Sequence, residues 1–391
     1  MITLEEAIET IHKDLKPLGS ERIGLQRSLS RILREDVVSD MDMPPFDKSA
    51  VDGYACRKED IKNALTVVET IPAGAPARST IGRNQCAKIM TGAVVPEGAD
   101  CVLLKEEVDE LPERQIRYKR DSTAVNICYQ GEDVVVGQKL VPSGTRITPS
   151  NIATLALAGY HSPQVSVRPK VGVIATGDEI VEPSERPGRT KIRNSNSYQL
   201  IAHCQEFGCE TRYYGIVGDV KETILSAVRK GREENDVLLL TGGISAGDLD
   251  LVPALLEETG FKILFRGIKI QPGRPTIFAR LENKYVFGIP GSPVASFIVF
   301  EVLVKELLAG LTELRSFVHT AHCTLSRDVK RQKTNRIGWR PVSISADGSA
   351  QPVEYHGTAH ISSYANADGM IPLPIGIIEL KQGTPVEVRL F

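Results

Sequence analysis

The sequence predicts a multi-domain α/β and β protein: a central doubly wound α/β domain, β-rich N-terminal domains and a small C-terminal β-barrel. Three observations carry this expectation. The 391 residues are too many for a single hydrophobic core. From Pro169 to about Leu311 short apolar runs alternate with helical patterns, as β-α-β units require. On either side the texture turns to short β-like runs broken by Gly and Pro.

The elements follow in chain order. Thr3-Leu-Glu-Glu6 is a capping box, and Leu4, Ile8, Ile11 and Leu15 keep helical spacing, which predicts an opening helix to about Lys16. Between Gly19 and Gly144 lie strand-like runs such as Leu65–Glu69, Cys86–Met90 and Cys101–Leu104. Thr148-Pro149 starts a second helix, with Pro at its first position and a stop at Gly159. In the α/β stretch, helices are expected at Tyr198–Phe207, Lys221–Gly231, Leu251–Glu258 and Val294–Ala309. From about Thr312 the β texture returns and ends in the alternating strand Pro385–Leu390. That tail has room for a small barrel or sandwich, and the barrel is the expectation. His319-Thr-Ala-His-Cys323 has the composition of a metal cluster, but it alternates into Leu325. As a strand it puts positions three apart on opposite faces.

Composition excludes several classes. The chain is 41% apolar and 25% charged, ordinary for a globular protein. A net charge of −2 gives no general attraction for nucleic acid or acidic membranes, so any anion site must be built locally. The start Met1-Ile-Thr-Leu-Glu-Glu6 lacks a basic region followed by an apolar core, so no signal peptide is expected. No apolar run approaches the roughly 20 residues of a membrane span. Seven scattered cysteines without a C-x-x-C pair suit reduced thiols, and the expected location is cytoplasmic.

Chemistry concentrates in three loops that follow apolar runs: Thr176-Gly-Asp-Glu179, Thr241-Gly-Gly-Ile-Ser-Ala-Gly-Asp-Leu-Asp250 and Pro290-Gly-Ser-Pro293. In a parallel sheet all three leave the same carboxyl edge, where open α/β sheets bind ligands. Glycines let backbone N–H groups crowd around an anion, and helix N-termini add favourable dipoles. Asp178, Glu179, Asp248 and Asp250 would repel a bare phosphate, so a divalent cation belongs between acid and anion. The pattern is not a Walker loop, because no G-K-[ST] follows. We take Thr176, Gly242, Gly243, Ser245 and Asp248 as substrate-binding. Plainer readings stay open for several residues. Asp178 or Glu179 can cap the next segment, Asp219 can start the helix at Lys221, and Asn194–Ser197 can be a simple N-cap. Arg274, in Gln271-Pro-Gly-Arg-Pro275, is either an oxyanion clamp or a solvated turn residue. In the first half Pro44–Tyr54, Met90–Ala93 and Gly131–Asp133 offer Asp52, Thr91 and Asp133 as a second polar wall. That wall is useful only if another domain or subunit brings it to the crevice.

These residues together resemble a known family, the molybdopterin molybdenumtransferases (MoeA), which include the E domain of gephyrin. The matching motifs are Pro44–Ala55 (PPFDKSAVDGYA), Ile89–Asp100 (IMTGAVVPEGAD), Gly131–Val134 (GEDV), Thr176–Glu179 (TGDE), Thr241–Asp250 (TGGISAGDLD), Gln271–Pro275 (QPGRP), Gly288–Pro293 (GIPGSP) and Ala367–Pro374 (ADGMIPLP). They stand in family order over nearly the whole chain. The resemblance implies four domains: residues 1–20 with 134–168 as a discontinuous linker and dimerisation domain, 21–133 β-rich, 169–316 α/β and molybdopterin-binding-like, and 317–391 a β-barrel. It implies a homodimer whose active site joins the α/β domain of one subunit to the N-terminal wall of the other. It further implies insertion of molybdate into adenylylated molybdopterin with release of AMP, using a divalent cation such as Mg²⁺.

On this resemblance Glu179, Asp219 and Asp250 match the family's acidic, metal-holding positions. Asp52, Thr91 and Asp133 match its partner wall, and Pro290 and Pro293 its rigid loop. Arg336 matches a family arginine, and Thr358 keeps the hydroxyl of a family serine. The chain departs from the family near the oxyanion. Gln271 and Arg274 stand where Lys is frequent, Ser292 where Asn is usual, Ala295 where Ser is usual, and Cys128 where Arg is usual. Lys269, Arg274 and Arg336 are expected to compensate. Two other readings are weighed: a molybdopterin adenylyltransferase, which is also an expected partner, and a non-catalytic, gephyrin-like scaffold.

Overall fold

The computed structural model describes residues 1–243 and 252–391. The chain forms two compact units, one of Met1–Glu35, Ser143–Thr148 and Pro163–Phe391, the other of Asp36–Pro142 and Pro149–Ser162.

The larger unit holds a six-stranded sheet built from β1 (Lys170–Thr176), β2 (Glu210–Val217), β3 (Val237–Thr241), β4 (Lys262–Arg266), β5 (Ile277–Leu281) and β6 (Lys284–Ile289), in the order β2-β1-β3-β6-β5-β4. The first four of that order run parallel. β5 and β4 run antiparallel at the edge, because β5 and β6 are joined as a tight hairpin with Glu282 at φ 52°. The sheet is therefore mixed, with β1, β3 and β6 adjacent and their carboxyl ends on one edge.

Side-chain alternation winds it on both faces. Val171, Val173, Val237, Leu239, Phe287 and Ile289 pack with Leu200, Cys204 and Phe207 of helix Asn196–Phe207 and with Ile298 and Val299. Ile174, Leu238, Leu240 and Val286 pack instead with Ile224 and Val228 of helix Lys221–Glu234 and with Leu255 and Leu256 of Val252–Glu258. Full burial of each such aliphatic side chain contributes about 1.5–3 kcal/mol. The expected helix Val294–Ala309 is a longer run, Pro293–Val299, a π-helical Phe300–Val304 and Lys305–Thr312, closed by Glu313 at φ 57°. The opening helix is shorter than expected. It has the full capping box at Thr3 but ends at His12, where Lys13 turns extended.

After the α/β layers come β7 (Thr320–Leu325), β8 (Ile337–Ile344), β9 (Ser349–Pro352), β10 (Gly369–Leu373) and β11 (Pro385–Leu390). They pair β8-β9-β7-β11-β10 and back to β8, a closed five-stranded barrel around Leu325, Val342, Ala350, Ile371, Leu373 and Val388. Closure leaves no free edge among these strands. His322 is exposed and Cys323 buried on β7, as the strand reading of that segment requires.

The smaller unit carries a six-stranded sheet in the order Cys101–Leu104, Gly53–Cys56, Gln85–Ile89, Ala64–Ile71, Gln115–Tyr118, Val108–Leu111. One face buries Tyr54, Leu65, Leu103 and Ile116, the other Ala55, Ile71, Ile89 and Val102. Its helix Pro149–Leu157 starts on proline, and Gly159 follows at φ 78°. Among the described residues no helix is long and apolar enough to cross a membrane.

Candidate active site

Parallel strand ends place the first two loops side by side. β1 runs into Gly177, where φ is 139° and an added Cβ would lie 2.5 Å from the Glu179 carboxylate. Glycine there lets Glu179 fold back over the turn. The loop after β2 is tied to it reciprocally: Asp178 N–H donates to Asp219 Oδ2 at 3.4 Å, and Asp219 N–H donates to Asp178 Oδ1 at 3.2 Å. Asp219 is thus neighbour to the Asp178–Glu179 loop, a role its sequence position left open.

β3 ends in Gly242 and Gly243, at φ 96° and 59°. A Cβ on Gly242 would come within 2.1 Å of the Thr176 carbonyl oxygen, and one on Gly243 within 2.8 Å of Thr176 Oγ1. That hydroxyl is buried and has no hydrogen-bond partner among the described residues. Ser245, Asp248 and Asp250, which the sequence marks in the same loop, lie outside the described residues. The loop after β6 closes against this one, with Gly291 close enough that its Cβ would sit 3.6 Å from Gly242 Cα. Asn196 latches the two: its Nδ2 donates to Thr241 Oγ1 and to Gly291 O, both at 2.9 Å. Asn194 accepts from Ser197 N–H at 3.2 Å and caps the helix. The Asn194–Ser197 motif therefore satisfies the helix start, as its sequence allowed, and ties the two loops together as well.

These loops floor a cavity of about 650 Å³. One wall is Glu179, Gly242 and Gly243. The others bring Gln271, Arg274, Pro290, Ser292 and Ala295, together with Lys333, Arg336 and Thr358 from the barrel region. Main-chain bonds carry those three residues in. Ile270–Gln271 pairs in parallel with Ile337–Gly338, Ile337 N–H donates to Lys269 O at 2.8 Å, and Val294 N–H donates to Thr358 O at 3.1 Å. A second cavity of about 310 Å³ shares Glu179, Gly242 and Gly291 with the first. Thr176, Asn194, Asn196, Thr241 and Pro293 line it, with Ile180, Ile192 and Ile361 as apolar surface. Among the described residues Arg274, Lys333 and Arg336 have no carboxylate partner, so the larger cavity sets an acid-and-glycine wall against three unpaired cations.

Lys269 lines neither cavity; its main chain does the stitching, accepting from Ile337 and donating to Ile2 O at 2.8 Å. Lys333 lines the cavity although no motif marks it. The only local signal was its positive charge three residues before Arg336.

Asp52, Thr91 and Asp133 belong to the smaller unit. Asp52 accepts from Thr91 N–H at 2.9 Å, from Thr91 Oγ1 at 2.8 Å and from Lys105 Nζ at 3.0 Å. The Thr91 main-chain bond, then Lys105, hold its carboxyl well below the usual range. Asp133 N–H donates to Met43 O at 3.0 Å. Lys105 was the partner that sequence reasoning missed.

Carboxylate oxygens of the Glu179 and Asp219 loops are the hard donors that Mg²⁺ takes. Among the described residues no group of three His, Cys, Asp or Glu side chains converges as a metal site. The buried Thr176 hydroxyl, without a partner among the described residues, is a polar group that a ligand in this cleft would satisfy.

Comparison with known proteins matches the chain in three stretches. Residues 2–159 match the family described as the MoeA N-terminal region (domain I and II), 172–310 the probable molybdopterin binding domain, and 323–391 the MoeA C-terminal region (domain IV). A molybdopterin molybdenumtransferase of Staphylococcus epidermidis is 34% identical over 399 residues, spanning 100% of this chain and 95% of that one. One from Bacillus subtilis is 34% identical over 404 residues, spanning 100% and 94%. The crystal structure of the molybdopterin biosynthesis moeA protein from Pyrococcus horikoshii OT3 superposes with a TM-score of 0.87 at 30% identity, covering 100% of both chains.

Proposed function

We infer the reaction from one premise: the chain belongs to the MoeA family of molybdopterin molybdenumtransferases. It is a transferase of molybdenum cofactor biosynthesis. The substrates we propose are adenylylated molybdopterin and molybdate, with the metal inserted into the dithiolene and AMP released. The observation that carries this is the larger cavity, where glycine turns and Glu179 face Arg274 and Arg336.

Each part of the reaction has residues suited to it. Gly242 and Gly243 stand in turns that only glycine can make against Thr176, and the edge the two cavities share at Gly242 is where the phosphoanhydride belongs. Ile180, Ile192 and Ile361 give the smaller cavity apolar surface for a planar heterocycle. Arg274, Arg336 and the Thr358 hydroxyl hold the incoming oxyanion, so that its encounter with the dithiolene becomes intramolecular. Glu179 and Asp219, with Asp250, would hold Mg²⁺. When bound, that ion neutralises charge developing on the phosphoryl oxygens.

A central α/β domain alone would suffice for adenylylation. Here barrel-region residues Lys333, Arg336 and Thr358 complete the cavity, which favours insertion over adenylyl transfer and over a scaffold. The enzyme that adenylylates molybdopterin supplies the substrate and is the expected partner.

The working form we propose is a homodimer in which Asp52, Thr91 and Asp133 of one subunit serve the cavity of the other. Exposed Phe46, Tyr129, Val135 and Val136 on the smaller unit support such an interface. A cytoplasmic setting is supported by seven free cysteines. The test is a mixture of the protein with adenylylated molybdopterin, Mg²⁺ and molybdate. AMP release coupled to metal incorporation is expected. No AMP release, or AMP release without metal incorporation, would refute the reading.

A further inference from the structure

We propose that Lys333 is an oxyanion-binding residue of the larger cavity, specific for molybdate, and that buried Arg331 is the residue that positions it. The proposal deepens the transferase reading and rests on it.

Lys333 lines the cavity and is exposed to solvent, and among the described residues it has no carboxylate partner. It stands in the segment between the short strand Val329–Lys330 and β8, three residues before Arg336. A polar connection of this kind has little hydrophobic surface to order it. Arg331 supplies the order instead. The residue is only 7% exposed, and its guanidinium donates Nε to Ile377 O at 2.7 Å, Nη1 to Arg336 O at 2.6 Å and Nη2 to Pro374 O. Its own N–H reaches Ile378 O at 2.9 Å, and Gly376 N–H reaches back to Thr334 O at 2.8 Å. The far end is fixed by the pairing of Ile270–Gln271 with Ile337–Gly338. One side chain therefore clamps the segment that presents Lys333 and Arg336 against the Pro374–Ile378 main chain, and the strand pairing sets that segment beside the loop that presents Arg274.

The clamp uses carbonyl oxygens only, so the charge of Arg331 is left without a carboxylate among the described residues. Burial, and then nearby Arg340, lower its pKa. Three cations within residues 331–336 repel one another, and a dianion in the cavity relieves that repulsion. An adenylate phosphate and molybdate share this chemistry. The glycine turns and acidic loops already suit the phosphate on the Glu179 side. A free tetrahedral dianion has the cationic wall, where Gln271 contributes no charge.

The experiment uses the full chain and two probes separately, molybdate alone and AMP alone, in equilibrium dialysis. Lys333→Gln should weaken molybdate binding about tenfold through loss of one charge-assisted contact, with AMP binding unchanged. Lys333→Arg should restore it. In turnover, the same loss should appear in KM for molybdate with kcat unchanged at saturation. Arg331→Lys should weaken molybdate as well, and the double variant should lose less than the sum of the two single losses, because Arg331 acts partly through Lys333 and partly through Arg336 on the segment it clamps. A Lys333→Gln protein that binds molybdate like the wild type, or loses AMP alone, overturns the assignment. Additive losses overturn the positioning role. Wild-type protein that takes up no molybdate overturns the transferase reading and this inference with it. Wild-type uptake with an indifferent Lys333→Gln overturns the inference alone.

Discussion

Gly242→Ala puts the floor of the cavity to the test. Gly242 sits at φ 96°, a region that costs an L-residue about 1–2 kcal/mol. The added Cβ would lie 2.1 Å from the Thr176 carbonyl oxygen, about 1 Å short of an ordinary contact. Thr176 ends β1, whose Val173 and Ile174 are fully buried, so the strand cannot retreat. The loop must move instead, and the 3.3 Å bond from Gly242 N–H to Ile289 O goes with it. A displacement of about 1 Å at a reacting site costs roughly 100-fold in rate. AMP formation from adenylylated molybdopterin should therefore fall about 100-fold, while the melting midpoint drops by only about 2–8 °C for that strain. Gly291→Ala is the internal control. Its Cβ would sit 3.6 Å from Gly242 Cα, a normal contact, and its backbone is not left-handed, so activity should stay within a few-fold. Wild-type turnover in Gly242→Ala, or equal damage in both variants, would refute the argument from glycine geometry.

Four further outcomes are expected. Asp250→Asn should abolish AMP release while leaving subunit association intact, checked by nucleotide chromatography and light scattering. Mixed dimers of Asp52→Ala and Asp250→Asn chains should recover one intact site in two, and no recovery counts against a site shared between subunits. Chelation with EDTA should stop AMP release, and added Mg²⁺ should restore it. Acid should weaken the fold through His203, whose pKa burial, and then Lys305, push down to about 4 from 6.5. The nearby Glu301 carboxylate, 3.6 Å from Nδ1, would favour a charged imidazole, but Lys305 at 2.7 Å from that carboxylate offsets it. The folded state then holds fewer protons than the unfolded one. The His203 contribution is complete above about pH 6.5 and lost as pH falls through 4. Urea midpoints should decline across that window, and less steeply in His203→Gln.

Half of the cavity was legible in the sequence because it is written locally. Val171–Thr176, Val237–Thr241 and Val286–Ile289 announce buried strands by composition, and Gly177, Gly242 and Gly243 after the first two mark turns no other residue can make. Adjacency of β1, β3 and β6 then puts those turns on one edge. The antiparallel edge of the sheet was not legible, since β4 and β5 carry the same apolar texture as parallel strands, and only the hairpin at Glu282 sets their direction. Nor was the cationic wall. Lys333 and Arg336 are separated from Gln271 by more than 60 residues, and what brings them together is the register Ile270↔Ile337 and Gln271↔Gly338. Register is a property of two segments jointly, and a slip of one residue would exchange the faces of the strand that follows Arg336. The charge on that wall is therefore decided by strand pairing, with Arg331 holding the connection still against the Pro374–Ile378 main chain. On the proposed reading, that pairing delivers Lys333 and Arg336 to a wall where Gln271 carries no charge.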